Sequence, residues 1–528
     1  MSAKQRYDRL SSDRSQFLNV ARRASELTLP YLIRDDEGFT KGAKNLQTPW
    51  QSVGAKGVVT LASKLMLALL PPQTSFFKLQ VNDINLGEEL GPEIRSELDL
   101  SFAKIERTIM ESIAASGDRV IVHQALKHLV VSGNALIFMG KEGLKLYPLN
   151  RYAVDRDGNG NVIEIVTKET ISKKLVKKFY PEYKSESTSS VSDETNYRDD
   201  ECDIYTHCIR DNNRWVWHQE IDGNILPKSI SKAPLDANPW LVLRFNHVDG
   251  EVYGRGRVEE FLGDLKSLEA LSQAIVEGSA AAAKVVFTVS PSSTTKPQTL
   301  ANAGNGAIIQ GRPDDIGVVQ VGKTADFSTA YQMIGSLTQR LNEAFLILNV
   351  RDSERTTAEE VRMTQLELEQ QLGGLFSLLT VEFLVPYLNR KLNIAQKTGD
   401  IPRLPKGDVV RPTIVAGINA LGRGQDRESL AQFLTVIAQT MGPDAIAEYI
   451  NPDEVIKRLA ASSGIDVLNL VKSMQEIQAE QQRQLDQQQQ MLSMQQAPQM
   501  AAVDQKAAQA EMQMQQQMMQ QEQPPIPQ

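Results

Sequence analysis

The stretch YGRGRVEEFLGDLKSLEALSQAIVEGSAAAAK, residues 253–284, sets the organisation of this chain. From Val258 to Ile275, apolar residues recur at three- and four-residue steps, which predicts a helix with one broad apolar stripe. Residues 278–283 carry almost no side chain, so a neighbouring element can approach closely at this end. We predict one helix over about Val258–Lys284, roughly 40 Å long at ~1.5 Å per residue.

A second long helix follows after a short insert. Residues 285–323 contain the runs VVFTVSPSSTT and GAIIQGRPDDIGVVQV, in which proline and glycine prevent a continuing helix, so strands and turns are predicted. From Thr324 to Leu348, apolar residues again recur at helical spacing. The order predicts two long helices standing side by side, with a small β-rich insert between them.

A charged loop, NVRDSERT at residues 349–356, follows the second helix. Its plain interpretation is a solvated connection, since loops run over the surface. Its place between two long helices raises the alternative of a mobile loop that faces a channel. Thr357 and Glu360 form a capping-box pattern that begins a further helix. The pair Gly373–Gly374 predicts a kink or hinge in that helix, which resumes to about Gln396.

The remainder of the chain divides into a helical part, a strand-rich part and a C-terminal part. Helices are predicted from Tyr7 to Pro30, after Trp50, over about Glu93–Ser116, and from Asp118 through the run ALKHLVVSGNALIF. Short strand-like runs then continue to about Val252, interrupted by a Ser/Glu/Asp-rich stretch at 184–200 that predicts a mobile surface loop.

The C-terminal part begins with residues 401–415, which contain too many prolines for a helix. Two or three shorter helices are predicted between Arg427 and Met474. From residue 475 onward, Gln, Met and Ala dominate, so this low-complexity tail has little to bury and should not fold alone.

Composition narrows the possible classes. The chain has 528 residues, a formal net charge of -8 and a sequence pI near 5.5, so it lacks the basic excess that grips nucleic acid tightly. The polar start lacks the apolar stretch of a secretory signal, and we expect a protein that stays in the cytoplasm after synthesis. The apolar run Val58–Leu70 stops at Pro71 and is shorter than the ~20 residues of a membrane span.

No motif of catalysis is evident. The 5 histidines form no HExxH pattern, and neither a nucleophile elbow nor a Walker motif occurs. His123 and His128 are interpreted as structural. Cys202 and Cys208 alternate with Ile204 and Thr206, which predicts one buried face of a strand. A zinc site formed by the cysteines with His207 and His218 is conceivable, but the spacing fits no standard ligand pair, and we predict no metal or cofactor.

Two glycine-bearing stretches are better explained by backbone geometry than by ligands. DRDGNGN, residues 155–161, matches the first half of an EF-hand loop, but Val166 stands where calcium needs a glutamate, so a hairpin turn is favoured. In YGRGR, Glu259 stands where a dinucleotide fingerprint needs its third glycine. Gly254 and Gly256 are therefore interpreted as a tight turn into the long helix.

Several stretches resemble a known family. QTPWQSVGAKGVVTLASKLMLALLPPQT (47–74), ALKHLVVSGNALIF (125–138), residues 253–276, RTTAEEVR (355–362) and INALGRGQDRESL (418–430) resemble their counterparts in portal proteins of tailed bacteriophages. Within that family, they are similar to the head-to-tail connectors of short-tailed phages with a single-subunit RNA polymerase. The resemblance runs from about Asp13 to Asp466, and the loop near Lys184 and the Gln-rich tail resemble the family less.

The resemblance implies an α+β portal fold. Its expected parts are a mixed α/β wing (1–256), a first stem helix (257–284), a β-rich clip (285–323), a second stem helix (324–348), a tunnel loop (349–356), a kinked helix with a return through the wing (357–415), a helical crown (416–474) and a low-complexity tail (475–528).

The resemblance also implies a function without catalysis. The subunits form a ring, expected to be a dodecamer, at one capsid vertex of the virion, with no membrane anchor. Double-stranded DNA passes through its channel without sequence specificity during packaging and ejection. The implied partners are terminase, scaffolding and major capsid proteins, and tail adaptor proteins. The portal itself hydrolyses nothing.

Three sets of candidate site residues follow from this assignment. The DNA-facing candidates of the tunnel loop are Asn349, Arg351, Asp352, Ser353, Glu354 and Arg355. The hinge candidates are Gly373 and Gly374, and the docking candidates of the clip are Gln310, Arg312, Asp314 and Asp315. Our hypothesis is that Arg351 and Arg355, offset locally by Asp352 and Glu354, make transient phosphate contacts that hinder backsliding of DNA.

Elementary geometry is compatible with such a channel. Twelve helices spaced ~10 Å apart place their axes on a circle ~38 Å across, which leaves a bore of nearly ~30 Å for the duplex. A net acidic ring suits transport, because matched basic contacts would hold the duplex instead of letting it slide.

Two other functions stay open at this point. One is an enzyme whose site is built from carboxylates scattered along the body, since sequence spacing does not show which groups meet in space. The other is a coiled-coil assembly scaffold organised by the Gln/Met tail.

Overall fold

The computed structural model describes residues 1–34, 46–72, 75–81, 92–181, 201–282, 286–304, 306–319, 324–347, 373–403, 410–414, 423–442 and 507–515, with the single residues 455, 483 and 487. The chain forms two compact units, Met1–Gly422 and Arg423–Gln528.

Helices and strands alternate along the first unit, which confirms the mixed α+β class. Its helices are α1 (Ala3–Glu26), α2 (Val53–Leu69), α3 (Pro92–Ala115), α4 (Asp118–Ser132), α5 (Lys173–Phe179), α6 (Arg257–Glu260), α7 (Leu262–Ala282), α8 (Pro297–Ala301), α9 (Thr324–Ala344) and α10 (Val385–Thr398). Its strands are β1 (Phe77–Val81), β2 (Asn134–Gly140), β3 (Gly143–Tyr147), β4 (Tyr152–Arg156), β5 (Val162–Ser172), β6 (Glu201–Asp211), β7 (Arg214–Ile221), β8 (Asn224–Ile225), β9 (Ser231–Pro234), β10 (Trp240–Arg244), β11 (Val286–Val289), β12 (Ile316–Val319) and β13 (Val410–Ile414).

The first helices form where the periodicity predicted them, with one correction. Helix α4 does not continue through ALKHLVVSGNALIF but ends at Ser132, where Gly133 has φ 74°. A residue in this left-handed conformation stops the helix, and glycine adopts it without steric cost. The following NALIF segment belongs to β2, whose neighbours are β10 and β3.

The strand-rich part forms two antiparallel sheets. One has the order β10-β2-β3, and the other has the order β4-β5-β6-β7-β8, with β9 also paired to β7. The strand-like runs predicted in this part are therefore confirmed, except that β3 ends at Tyr147 and Leu149–Arg151 form a short 3-10 helix. The stretch 184–200 lies outside the described residues apart from its C-terminal flank, where β6 begins at Glu201.

Strand β6 is buried on both faces. Ile204, Thr206 and Cys208 are buried as predicted, but Cys202 is only half-buried and the alternate residues Tyr205 and His207 are buried too. The reason is that α1 covers the second face, where the rings of Tyr7 and Tyr205 lie 5.6 Å apart. The predicted face is therefore buried at Ile204, Thr206 and Cys208, and a second face, which was not predicted, is buried as well.

The long helix of residues 253–284 is broken once. Helix α6 ends at Glu260, Phe261 follows as its C-terminal cap, and α7 begins at Leu262. The guanidinium of Arg257 lies 5.0 Å from the centre of the Phe261 ring and also donates to the carbonyl of Ala344. These contacts hold the first turn against α9, whereas α7 runs on as predicted to Ala282, the last residue described before the insert.

The insert contains the predicted strands, β11 and β12, paired antiparallel from Val286↔Val319 to Val289↔Ile316. It also contains the short helix α8, which was not predicted and which Pro297 begins at its first turn. Proline suits that position because the first helical N–H has no partner in the helix. The GAIIQ run is not a strand within the subunit.

Two further regions complete the picture. Residues 373–398 are helical and contain a π-helical turn at Thr380–Leu384, and Gly373 and Gly374 are the first described residues of this helix. Within the proline-rich stretch, residues 410–414 form strand β13, which pairs with β1, and the described residues of the stretch are not helical, as predicted. In the second unit, α11 (Arg423–Met441) and residues 507–515 are helical. Among the described residues, no helix has both the length and the hydropathy to cross a membrane.

Candidate functional site

The two long helices α7 and α9 lie side by side, as predicted. Leu265 of α7 and Leu341 of α9 are fully buried. Asp264 of α7 forms an ion pair with Arg340 of α9 at 2.6 Å. These contacts lie at the end of the helix pair that packs on residues 1–256 and 373–414, which we call the body. Among the described residues, the helices share a core with the body at this end.

The outer halves of the same helices carry apolar side chains that the subunit itself does not cover. Val276 on α7 is 49% exposed, and Tyr331 and Met333 on α9 are 68% and 52% exposed. Apolar side chains that are exposed on paired helices are available to a protein partner. We call Val276, Tyr331 and Met333 the outer apolar patch.

Helix α2 wedges against the base of the pair because two glycines allow a close approach. A Cβ on Gly54 would lie 3.2 Å from Leu265, and a Cβ on Gly57 would lie 2.6 Å from the ring of Phe345. The Glu269 carboxylate on α7 accepts from the backbone N–H of Trp50 at 2.9 Å. The stretch around VGAKG thus ties α2 to both long helices.

The predicted tunnel-loop residues, Asn349 to Arg355, lie outside the described residues. The described chain reaches Ile347: α9 ends at Ala344, and Leu346 follows with φ 56°. The ammonium of Lys64 on α2 donates to the carbonyl of Leu346 at 2.5 Å. Lys64 and Leu346 are 282 positions apart, so no local pattern in the sequence pairs them.

The docking candidates of the insert lie together on its surface. Gln310, Arg312 and Asp314 are exposed, and Asp315 is half-buried. Asp315 accepts the backbone N–H of Arg312 at 3.3 Å, which closes a tight turn before β12. The nearby Ile308 is fully exposed, at 101%. The segment therefore presents polar, charged and apolar groups outward.

The hypothetical metal groups do not assemble. Within the described part of the chain, no group of three or more His, Cys, Asp or Glu side chains is arranged to hold a metal ion. Cys208 is buried, which raises the pKa of its thiol. His207 contacts the carboxylate of Glu164 at 2.6 Å, and His218 contacts that of Glu220 at 2.9 Å. These pairs join the sheet to the first turn of α1, because Glu220 also accepts from the N–H of Ala3.

The other singled-out motifs have structural roles. Asp157 accepts the backbone N–H groups of Asn159 at 3.0 Å and Asn161 at 2.7 Å, which confirms the predicted hairpin turn between β4 and β5. His128 is buried, and burial lowers its pKa to about 4. His123 lies 3.2 Å from the hydroxyl of Ser63.

The glycines of YGRGR form the expected tight turn. Gly256 caps α6, and a Cβ on Gly254 would lie 2.7 Å from the carbonyl oxygen of Gly133. The side chain of Asn134 links the two backbone segments: it donates to the carbonyl of Gly254 at 2.7 Å and accepts from the N–H of Gly254 at 2.8 Å. This close backbone crossing sets the direction in which α6 and α7 leave the sheet.

Two buried ionic anchors were not found from the sequence. Glu382, in the π-helical turn, pairs with Arg244 at 2.6 Å and lies 3.7 Å from Arg156. Asp118, at the start of α4, pairs with Lys391 at 2.7 Å and accepts from the hydroxyl of Tyr387 at 2.7 Å. Both hold the helix of residues 373–398 on the body.

The architecture consists of two long helices that pack on a mixed α/β body and are separated by a small insert. The family of bacteriophage head to tail connecting proteins matches residues 1–471, so the chain belongs to that family.

Within this class, the chain is similar to several portal proteins. It is 36% identical to that of Escherichia phage T7 over 488 residues, 90% of this chain and 89% of the relative. It is 37% identical to that of Enterobacteria phage T3, covering 90% of this chain and 89% of the relative, and 31% identical to that of Enterobacteria phage SP6, covering 81% of each. A solved neck of an empty gene transfer agent particle aligns with a TM-score of 0.36 at 11% identity, covering 77% of this chain and 89% of the other.

Proposed function

We propose that the chain is a portal subunit, which forms a ring at one capsid vertex of the virion and provides the channel for double-stranded DNA. The observation that carries this is family membership over residues 1–471, together with 36% identity to a portal protein along 90% of the chain. The outer apolar patch supports it, because a ring of copies would cover Val276, Tyr331 and Met333.

The proposed division of labour follows the elements. Residues 1–256 form the wing, 257–284 and 324–348 the two stem helices, and 285–323 the clip. Residues 349–356 form the tunnel loop, residues 357–415 the kinked helix that returns through the wing, and 416–474 the crown. The tight crossing of Gly254 and Gly133 supports a wing boundary near residue 256, because the chain changes direction there.

DNA transport is proposed to rest on weak contacts. The formal net charge of -8 disfavours tight binding of phosphates, so the duplex can slide. Arg351 and Arg355 of the loop make transient phosphate contacts in this proposal, and Gly373–Gly374 lets the following helix adjust. The subunit contributes no catalysis, and terminase supplies the work of packaging.

Partner binding is proposed at the clip. Gln310, Arg312, Asp314 and Ile308 are exposed on one short segment, which offers hydrogen-bonding, charged and apolar groups to a docking protein. Terminase during packaging and tail adaptor proteins afterwards are the proposed partners at this end. Scaffolding and major capsid proteins would contact the wing.

Electron microscopy of the purified full-length protein tests the ring. We expect closed rings with a central channel, and particles that are only monomeric at every concentration would contradict the proposal. Truncation after Met474 separates the portal from a coiled-coil scaffold, because a portal ring should persist without the Gln/Met tail, whereas a scaffold should dissociate. Turnover on a broad substrate panel would instead favour the enzyme.

The loop is tested in packaged particles. Replacing Arg351 and Arg355 together with alanine should reduce the amount of DNA that particles retain. Unchanged retention would refute the role of these two arginines without affecting the ring.

A further inference from the structure

The end of α9 has an unusual residue at its C-terminal cap. Ile347 donates its N–H to the carbonyl of Asn342 at 2.7 Å, and Leu346 donates to that of Glu343 at 3.0 Å. This pair of hydrogen bonds is the Schellman motif, which places the residue after the cap, here Leu346, in the left-handed region. Its φ is 56°.

Glycine fills this position elsewhere in the chain. Helix α4 is capped by Gly133 with φ 74°, and α10 by Gly399 with φ 86°. Among the described residues, the other non-glycine positions with positive φ are Asn212, Asp222 and Lys228, and all three lie in turns between strands. For an L-residue with a Cβ, the left-handed region is disfavoured by ~1–2 kcal/mol, or about five- to thirtyfold. Leu346 therefore needs compensation from its surroundings.

Two cations supply that compensation at the carbonyl end of α9. Lys64 donates to the carbonyl of Leu346 at 2.5 Å, and Arg257 donates from both Nε and Nη2 to the carbonyl of Ala344 at 3.2 Å. Cations at this end of a helix also complement its dipole. Lys64 is half-buried, and burial lowers the pKa of its ammonium.

The packing around the cap fixes where Lys64 can reach. Phe345 and Leu346 are buried in the main core cluster, and the absent side chain of Gly57 lets α2 lie directly on the Phe345 ring. Lys64 is two helical turns beyond Gly57 on the same helix. The close packing of α2 on Phe345 therefore brings the ammonium of Lys64 within hydrogen-bond distance of the Leu346 carbonyl.

We infer that Lys64 is a positioning residue that holds Leu346 in the left-handed conformation and so fixes where the chain leaves α9. Without this contact, Leu346 returns to the right-handed region and α9 can lengthen at the expense of the segment that follows. Because residues 349–356 begin three positions further on, Lys64 fixes the backbone from which the proposed tunnel loop starts. This step rests on the proposed function.

Hydrogen exchange of the full-length protein tests the contact itself. In Lys64→Met, peptides covering residues 342–347 should exchange about five- to thirtyfold faster, because the strained cap opens more often. Lys56→Met is the matched control, since Lys56 is exposed on the same helix, and it should leave this exchange unchanged. Equal protection in Lys64→Met and the wild type would overturn the inference.

Two substitutions of Leu346 separate its backbone from its side chain. Leu346→Ala and Leu346→Gly both remove the buried side chain, but only glycine adopts the left-handed region freely. Adding Lys64→Met should therefore speed exchange again in the alanine background and change it less than about twofold in the glycine background. Equal effects in both backgrounds would show that Lys64 acts only through general packing, which contradicts the inference.

DNA retention in assembled particles tests the consequence for the loop. Particles with Lys64→Met should retain less DNA than wild-type particles, and Lys64→Met with Leu346→Gly should retain as much as Leu346→Gly alone. Altered exchange with unchanged retention would overturn the positioning role. A failure of the proposed function would appear differently, as wild-type protein that forms no ring whatever the exchange shows.

Discussion

The body and the outer ends of the two long helices follow different rules of stability. In the body, large side chains such as Tyr152, Phe77 and Tyr387 are fully buried, and charged groups are buried with partners. On the outer ends, Val276 and Tyr331 are about half or more exposed. The body is therefore stabilised within one subunit, whereas the outer ends of the helices expose apolar surface that a neighbouring protein can cover.

The contrast is sharpest for charge. Arg244, Arg156 and Glu382 have side chains only 6%, 4% and 11% exposed, and burial lowers the pKa of Arg156 to about 10. Glu277 of α7, by comparison, is exposed and accepts only a surface hydrogen bond from Gln273 at 2.8 Å. Removing one partner of a buried ion pair costs far more than removing an exposed one.

Glu382→Ala should therefore have the largest effect on folding. It leaves two buried guanidinium groups without their carboxylate, and the free energy of unfolding should fall by about 3–5 kcal/mol. Glu277→Ala should change it by less than ~0.5 kcal/mol. Denaturant unfolding of both variants measures this, and similar losses would show that the two regions do not differ as described.

Acid should destabilise the body through His128. Burial lowers its pKa from 6.5 to about 4, so between these values the unfolded chain binds more protons than the folded chain. The free energy of unfolding therefore falls as the pH falls through this window, by up to about 3 kcal/mol. Hydrogen bonds from His207 and Arg6 overcome burial and hold the pKa of Glu164 at about 2, so its contribution is lost only below its ordinary value of 4.5.

The measurement is unfolding at pH values from 7 to 4.5, in wild type, His128→Leu and the exposed His247→Gln. His128→Leu should flatten the pH dependence in this window, and His247→Gln should not. A wild-type curve that rises towards acid would contradict the sign.

Periodicity predicted most of the helices and strands because each element repeats its apolar residues at its own spacing. Periodicity failed where the backbone changes direction: at Gly133, where a strand follows the helix, and at Phe261, where the long helix is broken. Periodicity could not identify the buried ion pairs of Glu382 and Asp118. Glu382 and Arg244 are 138 positions apart, and nothing local in either segment shows that they meet.

In the candidate site, too, local patterns were predicted from the sequence and long-range contacts were not. The sequence predicted the paired helices and the polar turn of the insert, because both are local patterns. The contact of Lys64 with Leu346 depends on how α2 packs, so the sequence could not show it. Resemblance to a family supplied roles for residues 349–356 that neither spacing nor the described residues test.

Glycine substitutions on the two regions should have effects of opposite sign. Gly57→Ala places a Cβ 2.6 Å from the Phe345 ring, which forces α2 and α9 apart and should cost about 1–3 kcal/mol. Gly335 on α9 has no neighbour within 4 Å in the subunit, and Gly335→Ala should stabilise the unassembled chain by about 0.5–1 kcal/mol. Thermal unfolding of the two variants decides this, and a gain from Gly57→Ala would show that the helices are not in close contact.

The smallest effect on folding is expected at the outer apolar patch, where the consequence should appear in assembly instead. Tyr331→Asp replaces a side chain that is 68% exposed, so the free energy of unfolding of the single subunit should change by less than ~0.5 kcal/mol. A charge there would be buried without a partner if a neighbouring copy covers the patch, so ring formation should be lost.

Gln332→Asp, on the same helix at an exposed polar position, is the control for the added charge and should disturb the ring less. Native mass spectrometry or analytical ultracentrifugation measures the fraction of chains in rings. If Tyr331→Asp instead destabilised the single subunit by several kcal/mol, the outer helix would belong to the same core as the body, and the distinction between the two regions would fail. If rings formed normally, the cover for this patch would have to be something other than a neighbouring copy.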